Sequence, residues 1–368
     1  MEERPAKINK WLYPLSFLYG MGVSLRNKLF DRGILRSKSF DIPVICIGNL
    51  AVGGTGKTPH TEYLIRLLQD KYHIAVLSRG YKRKTKGYVP AGPESSAQSI
   101  GDEPYQIKNK FPRVSVAVDE KRVRGIEKLL KQEDPRAEVI LLDDAFQHRY
   151  VNPGLNILLT RYHRLFCDDT LLPAGRLREP KKGMNRAQIV IVTKCPADIK
   201  PIEFNIIAER LQLDPHQKLF FSSFQYGRLT PVFPQTGAAE RELPSLENDE
   251  HILLVTGIAS PAVMEKEIRN YTPHVELLSF GDHHNFRNKD IKLITEQFNK
   301  TKDKKLIVTT EKDATRLAAH PAVGEELKKH IYALPIKTKI LQNQEDTFNK
   351  FITNYVRENK RNSILSQK

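Results

Sequence analysis

Short, uninterrupted runs of apolar residues recur through the first half of the chain, separated by stretches long enough to be helices. The runs occupy residues 43–47, 74–77, 114–118, 139–142, 157–159 and 189–192. Runs in which apolar residues do not alternate with polar ones are typical of strands covered on both faces. The pattern therefore predicts an α/β fold with a parallel sheet flanked by helices.

A second series of apolar runs follows a segment rich in turn formers and charges. This series occupies residues 252–255, 277–280, 306–308 and 332–334 and precedes a helical pattern at 345–357. The change predicts a second, smaller α/β lobe. We expect an N-terminal amphipathic helical segment, a first domain, a connection between lobes, and a second lobe with the C-terminal helix. Their predicted bounds are residues 1–40, 41–225, 226–250 and 251–368.

The N-terminus contains an apolar stretch of its own. Residues 11–25 carry no charge, and basic residues flank them on both sides. The stretch is too short to span a bilayer, which takes ~20 apolar residues. Apolar and aromatic residues with basic flanks are typical of a helix that lies in a membrane interface. A helix packed on the protein's own core explains the pattern equally well, and both interpretations stay open here.

The balance of charges favours an anionic partner. The 368 residues include 59 Lys and Arg against 43 Asp and Glu, a formal net charge of +16. Nucleic acid, an anionic membrane surface, a phosphorylated substrate and a merely solvated basic surface are all compatible with this excess. The 3 cysteines form no CxxC pair, which excludes a disulfide framework and favours a reducing compartment.

A glycine-rich loop follows the first predicted strand and precedes a predicted helix. Glycines let backbone N–H groups turn towards phosphate oxygens, and the helix N-terminus adds partial positive charge. Lys57 is expected to reach the phosphates of a nucleotide, and the Thr58 hydroxyl to ligate Mg²⁺. The usual GxxxxGK[ST] pattern has Gly where this chain has Ala51. The predicted phosphate-binding residues are Gly53, Gly54, Thr55, Gly56, Lys57 and Thr58.

Two carboxylates follow the apolar run at 139–142, as in the acidic strand that accompanies such loops. Asp143 and Asp144 are expected at the carboxyl edge of the sheet, where ligands of open α/β sheets bind. There they can hold hydrated Mg²⁺ or orient a nucleophile. The Asn-Lys-x-Asp signature of guanine binding is not met at residues 193–196, which argues against a GTPase.

Several motifs together resemble one family, the tetraacyldisaccharide 4'-kinases (lipid A 4'-kinases) of Gram-negative bacteria. The resemblance extends from Gly48 to Asp313, with the motifs in the family's order. The resemblance also accounts for Ala51, because the loop of the family likewise has a Gly-Gly-Thr-Gly-Lys-Thr core. The motifs are GNL at 48–50, GGTGKTP at 53–59, SRGY at 78–81, GDEP at 101–104, DDAFQH at 143–148, LPAGRLREP at 172–180, FGDHH at 280–284 and TTEKD at 309–313.

The resemblance implies a P-loop NTPase-like fold and transfer of the ATP γ-phosphate to the 4'-hydroxyl of a tetraacyldisaccharide 1-phosphate. Such a substrate lives in a membrane, which agrees with an interfacial N-terminal helix and with a peripheral position on the cytoplasmic face of the inner membrane. The phosphate on the substrate agrees with the basic net charge.

The resemblance also implies site residues. It assigns the general base to Asp102, paired with His283, with His284 as an alternative partner. Taken alone, Asp102 is better explained as a helix N-cap and His283 as an exposed loop residue. The predicted Mg²⁺ ligands, direct or through water, are Thr58, Asp143, Asp144 and Glu179. The predicted phosphate or substrate contacts are Arg79, Arg122, His148 and Arg178, although Arg122 is also compatible with the solvated face of a helix.

Two other functions use the same kind of loop. A P-loop ATPase that acts on nucleic acid would interleave basic with aromatic residues along a groove, whereas the basic excess here is dispersed. A nucleotide switch without enzymatic activity would leave Asp102 and His283 without a catalytic task. We therefore expect a monomeric kinase that uses ATP and Mg²⁺ and binds no nucleic acid.

Overall fold

The computed structural model describes residues 8–365 except for 133, 197, 259–260, 282–283 and 302–303. The chain divides into two compact units. The larger unit contains the chain up to Phe224 and again from Thr338, and the smaller unit is Gln225–Lys337. We describe each unit by itself.

The apolar runs form strands at nearly the predicted positions. The strands are β1 Val44–Asn49, β2 Ile74–Ser78, β3 Val89–Pro90, β4 Ser115–Val118, β5 Val139–Asp143, β6 Leu155–Arg161, β7 Ile189–Thr193, β8 Lys218–Tyr226, β9 Thr230–Pro231, β10 His251–Thr256, β11 Val275–Ser279, β12 Lys305–Thr310, β13 Ile331–Leu334 and β14 Ile336–Ile340.

Helices fill most of the segments between the strands. The α-helices are α1 Tyr13–Asp31, α2 Lys57–Leu68, α3 Ala97–Ile100, α4 Asp102–Lys110, α5 Arg122–Leu130, α6 Pro201–Leu211, α7 Ala262–Ile268, α8 Asn288–Lys300, α9 Glu311–Ala318, α10 Glu325–Lys328 and α11 Glu345–Leu365.

The larger unit is built on one twisted sheet whose described strands have the order β14-β8-β7-β6-β1-β5-β2-β4-β3. Pairing is parallel from β8 across to β4, and β3 is antiparallel to β4. Every residue of β1 is buried. Val44 and Cys46 belong to one apolar cluster and Ile45 and Ile47 to another. Because both faces of the strand are covered, its sequence shows no polar alternation.

The register of the central strands places the glycine-rich loop beside the two carboxylates. Ile47 of β1 pairs with Asp143 of β5, and Asn49 pairs with Leu159 of β6. The loop that leaves β1 therefore begins between the carboxyl ends of β5 and β6, the edge at which open α/β sheets bind ligands.

The smaller unit repeats the same architecture on a sheet whose described strands have the order β11-β10-β12-β13-β9. Alternate residues of β10 enter separate apolar clusters, as on a sheet covered on both faces. The predicted connection at 226–250 belongs to this unit: β9 pairs with β13, and Leu229 and Leu243 are buried in its core. Turn formers and charges in that segment thus mark tight turns on a folded lobe.

The C-terminal helix α11 packs on the larger unit, which differs from our division at residue 251. The ring of Phe348 lies 5.7 Å from that of Tyr63 and 5.1 Å from that of Phe220. The Tyr355 hydroxyl donates to the Val44 carbonyl at 3.1 Å. The apolar periodicity predicted a helix but contained nothing to identify the surface that it covers.

Helix α1 is held on the larger unit by a few buried residues and by hydrogen bonds from its second half. The Ser16 hydroxyl donates to the Leu171 carbonyl at 3.1 Å and accepts from the Ala174 N–H at 2.8 Å. A Cβ at Gly20 would lie 2.6 Å from Leu171 Cδ1, so a larger residue would require the Leu171 side chain to shift. Most of the helix's large apolar side chains point outward. Within the described part of the chain, no helix combines the length and apolarity needed to cross a membrane.

We predict that Phe348→Ala lowers the free energy of unfolding by about 4 kcal/mol, because it removes a fully buried ring. Urea unfolding followed by far-ultraviolet circular dichroism measures this loss. Thr347→Ala, an exposed neighbour, is the control and should change the free energy by less than about 0.5 kcal/mol. Equal losses in the two variants would contradict the packing of α11 described here.

Candidate active site

The loop after β1 adopts backbone angles that favour glycine at two positions. Gly53 has a φ of +112° and Gly56 a φ of +87°, and L side chains rarely adopt either value. Ala51 instead forms an isolated antiparallel bridge with Leu177. The departure from GxxxxGK[ST] therefore falls where the backbone is paired like a strand and any residue can be accommodated.

Hydrogen bonds from neighbouring segments fix the shape of the loop. The Val52 N–H donates to the Arg176 carbonyl at 2.8 Å, and the Thr193 hydroxyl donates to the Thr55 carbonyl at 2.8 Å. The side-chain amide of Asn49 donates to the Thr55 hydroxyl at 2.9 Å. Among the described residues, no side chain caps the N-terminus of α2. The first N–H groups of that helix are thus available to an anion.

The predicted lysine and carboxylates meet at this edge of the sheet. Lys57 Nζ lies 3.6 Å from Asp144 Oδ1. Arg178 Nη1 donates to both oxygens of Asp144, at 3.0 and 3.2 Å. The Thr61 hydroxyl donates to Asp143 Oδ1 at a long 3.4 Å. The two carboxylates therefore face the first turns of α2 from the end of β5.

The two carboxylates differ in how firmly they are ionised. Burial raises the pKa of Asp143 to about 7, against the opposing effect of Lys57. Burial also acts to raise the pKa of Asp144, but Lys57 and Arg178 outweigh it, so this pKa is lowered. A divalent cation would favour ionisation of Asp143, and hydroxyl and carboxylate oxygens are the ligands that Mg²⁺ prefers. The donors at Thr58, Asp143 and Asp144 thus fit Mg²⁺.

The carboxylate of Glu179 already accepts hydrogen bonds from three side chains. Its carboxylate is buried and accepts two bonds from Arg186 Nη2, both at 2.9 Å. Gln147 donates to one of its oxygens at 2.9 Å and Asn27 to the other at 3.2 Å. Direct ligation of a metal would have to displace these bonds. Among the described residues, no three His, Cys, Asp or Glu side chains cluster as a preformed metal site.

Arg122, the first residue of α5, is buried, so the interpretation as a solvated basic face is wrong. Its Nη1 donates to the carbonyls of Asp119 and Glu120 at 3.2 and 3.3 Å. Its Nε is buried and has no hydrogen-bond partner among the described residues. Burial lowers the pKa of Arg122, and the charge of Asp144 opposes this effect. The guanidinium therefore lies close enough to the acidic pair to influence it.

His148 and Arg79 belong to the same electrostatic neighbourhood as Arg122. Burial lowers the pKa of His148 to about 4, and the positive charges of Arg122, Arg26 and Arg79 lower it further. The imidazole is therefore neutral at physiological pH. Charges of two predicted phosphate-contacting residues, Arg122 and Arg79, thus both act on His148, a third.

Asp102 is the first residue of α4, and the N-cap position before it is occupied by Gly101. Gly101 has a φ of +95° and packs on Gly80, so that a Cβ there would lie 3.1 Å from the Gly80 Cα. The paired glycines let the start of α4 approach the end of β2, which carries Arg79. Asp102 is thus not an N-cap residue, and its turn lies at the carboxyl edge of the sheet.

The predicted histidine partner of Asp102 cannot be placed, because His283 lies outside the described residues. The alternative, His284, is described: its Nε2 lies 2.9 Å from Asp290 Oδ2, and its ring stacks on Phe280 at 4.7 Å. The imidazole is thus bonded within the smaller unit.

Several residues to which the sequence analysis gave no role support the site. Gln147 donates to the Asn49 carbonyl at 2.7 Å as well as to Glu179, and so joins the end of β1 to the buried carboxylate. Thr193, part of the unmatched guanine signature, binds the loop. Gln147 follows a strand and Thr193 ends one, both at the ligand-binding edge. This position could have identified them from the sequence.

A protein-family model described as LpxK, tetraacyldisaccharide-1-P 4'-kinase, matches residues 8–357. The chain belongs to this kinase family. The tetraacyldisaccharide 4'-kinases of Bacteroides thetaiotaomicron and of Bacteroides fragilis strain ATCC 25285 are 65% and 64% identical to it, over 100% of this chain and 98% of each relative. A crystal structure of LpxK from Aquifex aeolicus in complex with ATP superposes with a TM-score of 0.71 at 30% identity, covering 94% of this chain and 98% of that one.

The family assignment confirms the resemblance, the α/β fold with its second smaller lobe, and the enzyme class that the motifs predicted. It supports the kinase and neither of the two alternatives, the nucleic-acid ATPase and the nucleotide switch. The roles of individual site residues stay predictions, and the geometry above shows which of them lie together.

We predict that Glu179→Gln lowers the free energy of unfolding by about 3 kcal/mol, because it leaves the Arg186 guanidinium without its paired charge. Urea unfolding without added metal or nucleotide measures the effect. Glu209→Gln, an exposed carboxylate on α6, is the matched control and should change stability by less than about 0.5 kcal/mol. A Glu179→Gln protein of unchanged stability would argue for a role in ligand binding instead.

Proposed function

We propose that this protein transfers the γ-phosphate of ATP to the 4'-hydroxyl of a tetraacylated disaccharide 1-phosphate. The observation that carries the proposal is the arrangement of Lys57, Asp144 and Arg178 beside an uncapped helix N-terminus, in a chain that belongs to this kinase family. The ATP complex of the Aquifex aeolicus protein supports ATP as the donor.

The loop and its neighbours are suited to bind the triphosphate. The N–H groups of the loop glycines and of the first two residues of α2 provide donors for phosphate oxygens. Lys57 adds a positive charge, and Arg178, Arg79 and Arg122 add more nearby. Thr58, Asp143 and Asp144 would hold Mg²⁺, which neutralises phosphate charge and helps to orient the transferred group. Lys57 and Arg178 lower the pKa of Asp144 and so keep it ionised for this task.

Asp102 is our proposed general base. A sugar hydroxyl is a weak nucleophile, so a positioned carboxylate that accepts its proton accelerates transfer by ~10²–10⁴-fold. The 4'-oxygen then bonds to the γ-phosphorus, the bond from that phosphorus to the β-phosphate oxygen breaks, and ADP leaves. The placement of Asp102 at the carboxyl edge, on the turn packed against Gly80, supports this assignment. A role for His283 beside it stays a prediction.

We further propose that α1 lies in the cytoplasmic face of the bacterial inner membrane. The side of α1 that carries Ser16 and Gly20 contacts the protein. Phe17 of the helix is 67% exposed, and Trp11, in the 3₁₀ turn before it, is 92% exposed. Exposed Lys28 and Arg32 at the end of the helix suit anionic lipid headgroups. The membrane would then present the acylated acceptor at the surface on which the enzyme is docked. The monomeric state and the lack of a nucleic-acid partner stay predictions.

Purified protein with Mg-ATP and tetraacyldisaccharide 1-phosphate in detergent micelles should form the bisphosphorylated product, detected by mass spectrometry. We predict that Asp102→Asn lowers kcat by ~10²–10⁴-fold, because the acceptor proton loses its base, while the KM for ATP changes little. Initial rates at varied ATP and acceptor concentrations separate the two constants.

Asp70→Asn is the matched control, since it makes the same chemical change at an exposed carboxylate beyond the far end of α2. It should retain kcat to within a few fold. Absence of product with the unaltered protein would refute the proposed reaction. A normal kcat in Asp102→Asn, with product formed, would remove Asp102 as the base and leave the reaction standing.

For the membrane, we predict that the double variant Trp11→Ser, Phe17→Ser lowers the partition coefficient onto vesicles at least tenfold, because each ring contributes roughly 1.5–3 kcal/mol when buried. Co-sedimentation with vesicles of mixed neutral and anionic phospholipid measures it. The control, Ile202→Ser with Ile206→Ser, removes two exposed apolar side chains from α6 and should bind normally. Equal binding by all three proteins would contradict a membrane role for α1.

A further inference from the structure

The buried imidazole of His60 lies next to the phosphate loop and has no place in the mechanism above. His60 is on the first turn of α2 and is 4% exposed. Its Nδ1 lies 2.7 Å from the Gly56 carbonyl oxygen, and its Nε2 lies 3.0 Å from the Ser222 hydroxyl. A carbonyl oxygen only accepts, so Nδ1 carries the hydrogen. In the neutral ring, Nε2 then accepts from the serine hydroxyl.

The bond to Gly56 matters because of where that carbonyl is. Gly56 precedes Lys57, and its φ of +87° is sterically unfavourable for other residues. The His60 N–H also donates to the Gly56 carbonyl, but at 3.3 Å, so the imidazole makes the shorter of the two bonds. In a planar trans peptide the C=O and the following N–H point in opposite directions. Holding the Gly56 carbonyl inward therefore directs the Lys57 N–H away from the imidazole.

The other side of the ring is anchored to the sheet. Ser222 belongs to β8, and its carbonyl accepts from the Cys195 N–H at 3.0 Å. Phe224, two residues further along β8, packs on Gly56, since a Cβ there would lie 2.7 Å from Phe224 Cζ. The Gly56–Lys57 peptide is thus confined by a hydrogen bond from His60 and by an aromatic ring, both supported by β8.

We infer that His60 is a positioning residue that orients the Gly56–Lys57 peptide so that the Lys57 N–H donates to a phosphate of the bound nucleoside triphosphate. This rests on the ATP-binding role of the loop proposed above. His60 itself touches no phosphate; it acts through the carbonyl of Gly56. Its contribution is to nucleotide affinity and is separate from the proton transfer assigned to Asp102.

Two substitutions of similar shape distinguish the two hydrogen bonds of the His60 ring, because each keeps one bond and removes the other. In His60→Asn the side-chain amide can occupy the position of Nδ1 and donate to Gly56, and in His60→Gln it can occupy the position of Nε2 and contact Ser222. Ser222→Ala removes the second bond and leaves the first. The measured quantities are the Kd for Mg-ATP by calorimetry, the KM for ATP, the KM for the acceptor, and the melting temperature.

We expect Kd and KM for ATP to rise about tenfold in His60→Gln, the effect of losing one well-directed bond to a charged group. They should rise less than threefold in His60→Asn and in Ser222→Ala, and the KM for the acceptor should be unchanged in all three. A merely structural histidine predicts instead that ATP affinity follows the melting temperature, whichever bond is removed.

Equal ATP affinity in His60→Gln and His60→Asn would overturn the inference. The Kd measurement needs no acceptor, so it judges His60 even if phosphoryl transfer to the disaccharide is not observed. Lack of transfer by the unaltered protein, with normal Mg-ATP binding, would refute the proposed acceptor and leave the inference intact. Lack of Mg-ATP binding by the unaltered protein would refute both.

Discussion

The phosphate loop can direct backbone N–H groups at a ligand only while its other polar groups are bonded elsewhere. The Thr55 carbonyl is taken up by Thr193, and the Val52 N–H by the Arg176 carbonyl. Two residues of the loop also have φ values that do not favour other side chains. The glycines make the shape possible, and the surrounding segments impose it. The rest of the site depends on this arrangement. The lysine and the carboxylates can act on a phosphate only if the loop holds it in a fixed position.

One turn of α2 connects the loop to three other elements of the larger unit. Consecutive helical residues point about 100° apart, so three successive buried side chains reach three different elements. His60 bonds to β8, Thr61 to Asp143 at the end of β5, and Glu62 to Gln106 of α4 at 2.9 Å. Helix α4 begins at Asp102. The residues after the loop therefore tie the nucleotide site to the carboxylate strand and to the helix of the proposed base.

The sequence was sufficient for the local features of this fold, and its motifs named residues that the structure places close together. Continuous apolar runs located β5 and β7 to within a residue, and the motifs placed the lysine, the carboxylates and Arg178 at one edge. The sequence did not reveal contacts between residues that are far apart along the chain. The family resemblance implied that Glu179 binds Mg²⁺ directly or through water, but nothing in the sequence indicated that its carboxylate is bonded to Asn27, 152 positions away. Helix α11 was predicted as a helix, but its packing on β1 depends on a similar long-range contact.

Segment 171–178 connects two features that the sequence presents separately, the apolar N-terminal helix and the phosphate loop. One end of it bonds to Ser16 of α1, at Leu171 and Ala174. At the other end the Arg178 N–H donates to the Leu50 carbonyl at 2.7 Å, directly before the loop. If α1 lies in a lipid surface, as proposed, the height of the loop above that surface is set by these bonds. A rigid link of this kind suits an acceptor whose acyl chains stay in the membrane, because its hydroxyl must meet the phosphate at a fixed distance from the lipid. The small residues Ser16 and Gly20 let α1 approach this segment closely, which makes the link short.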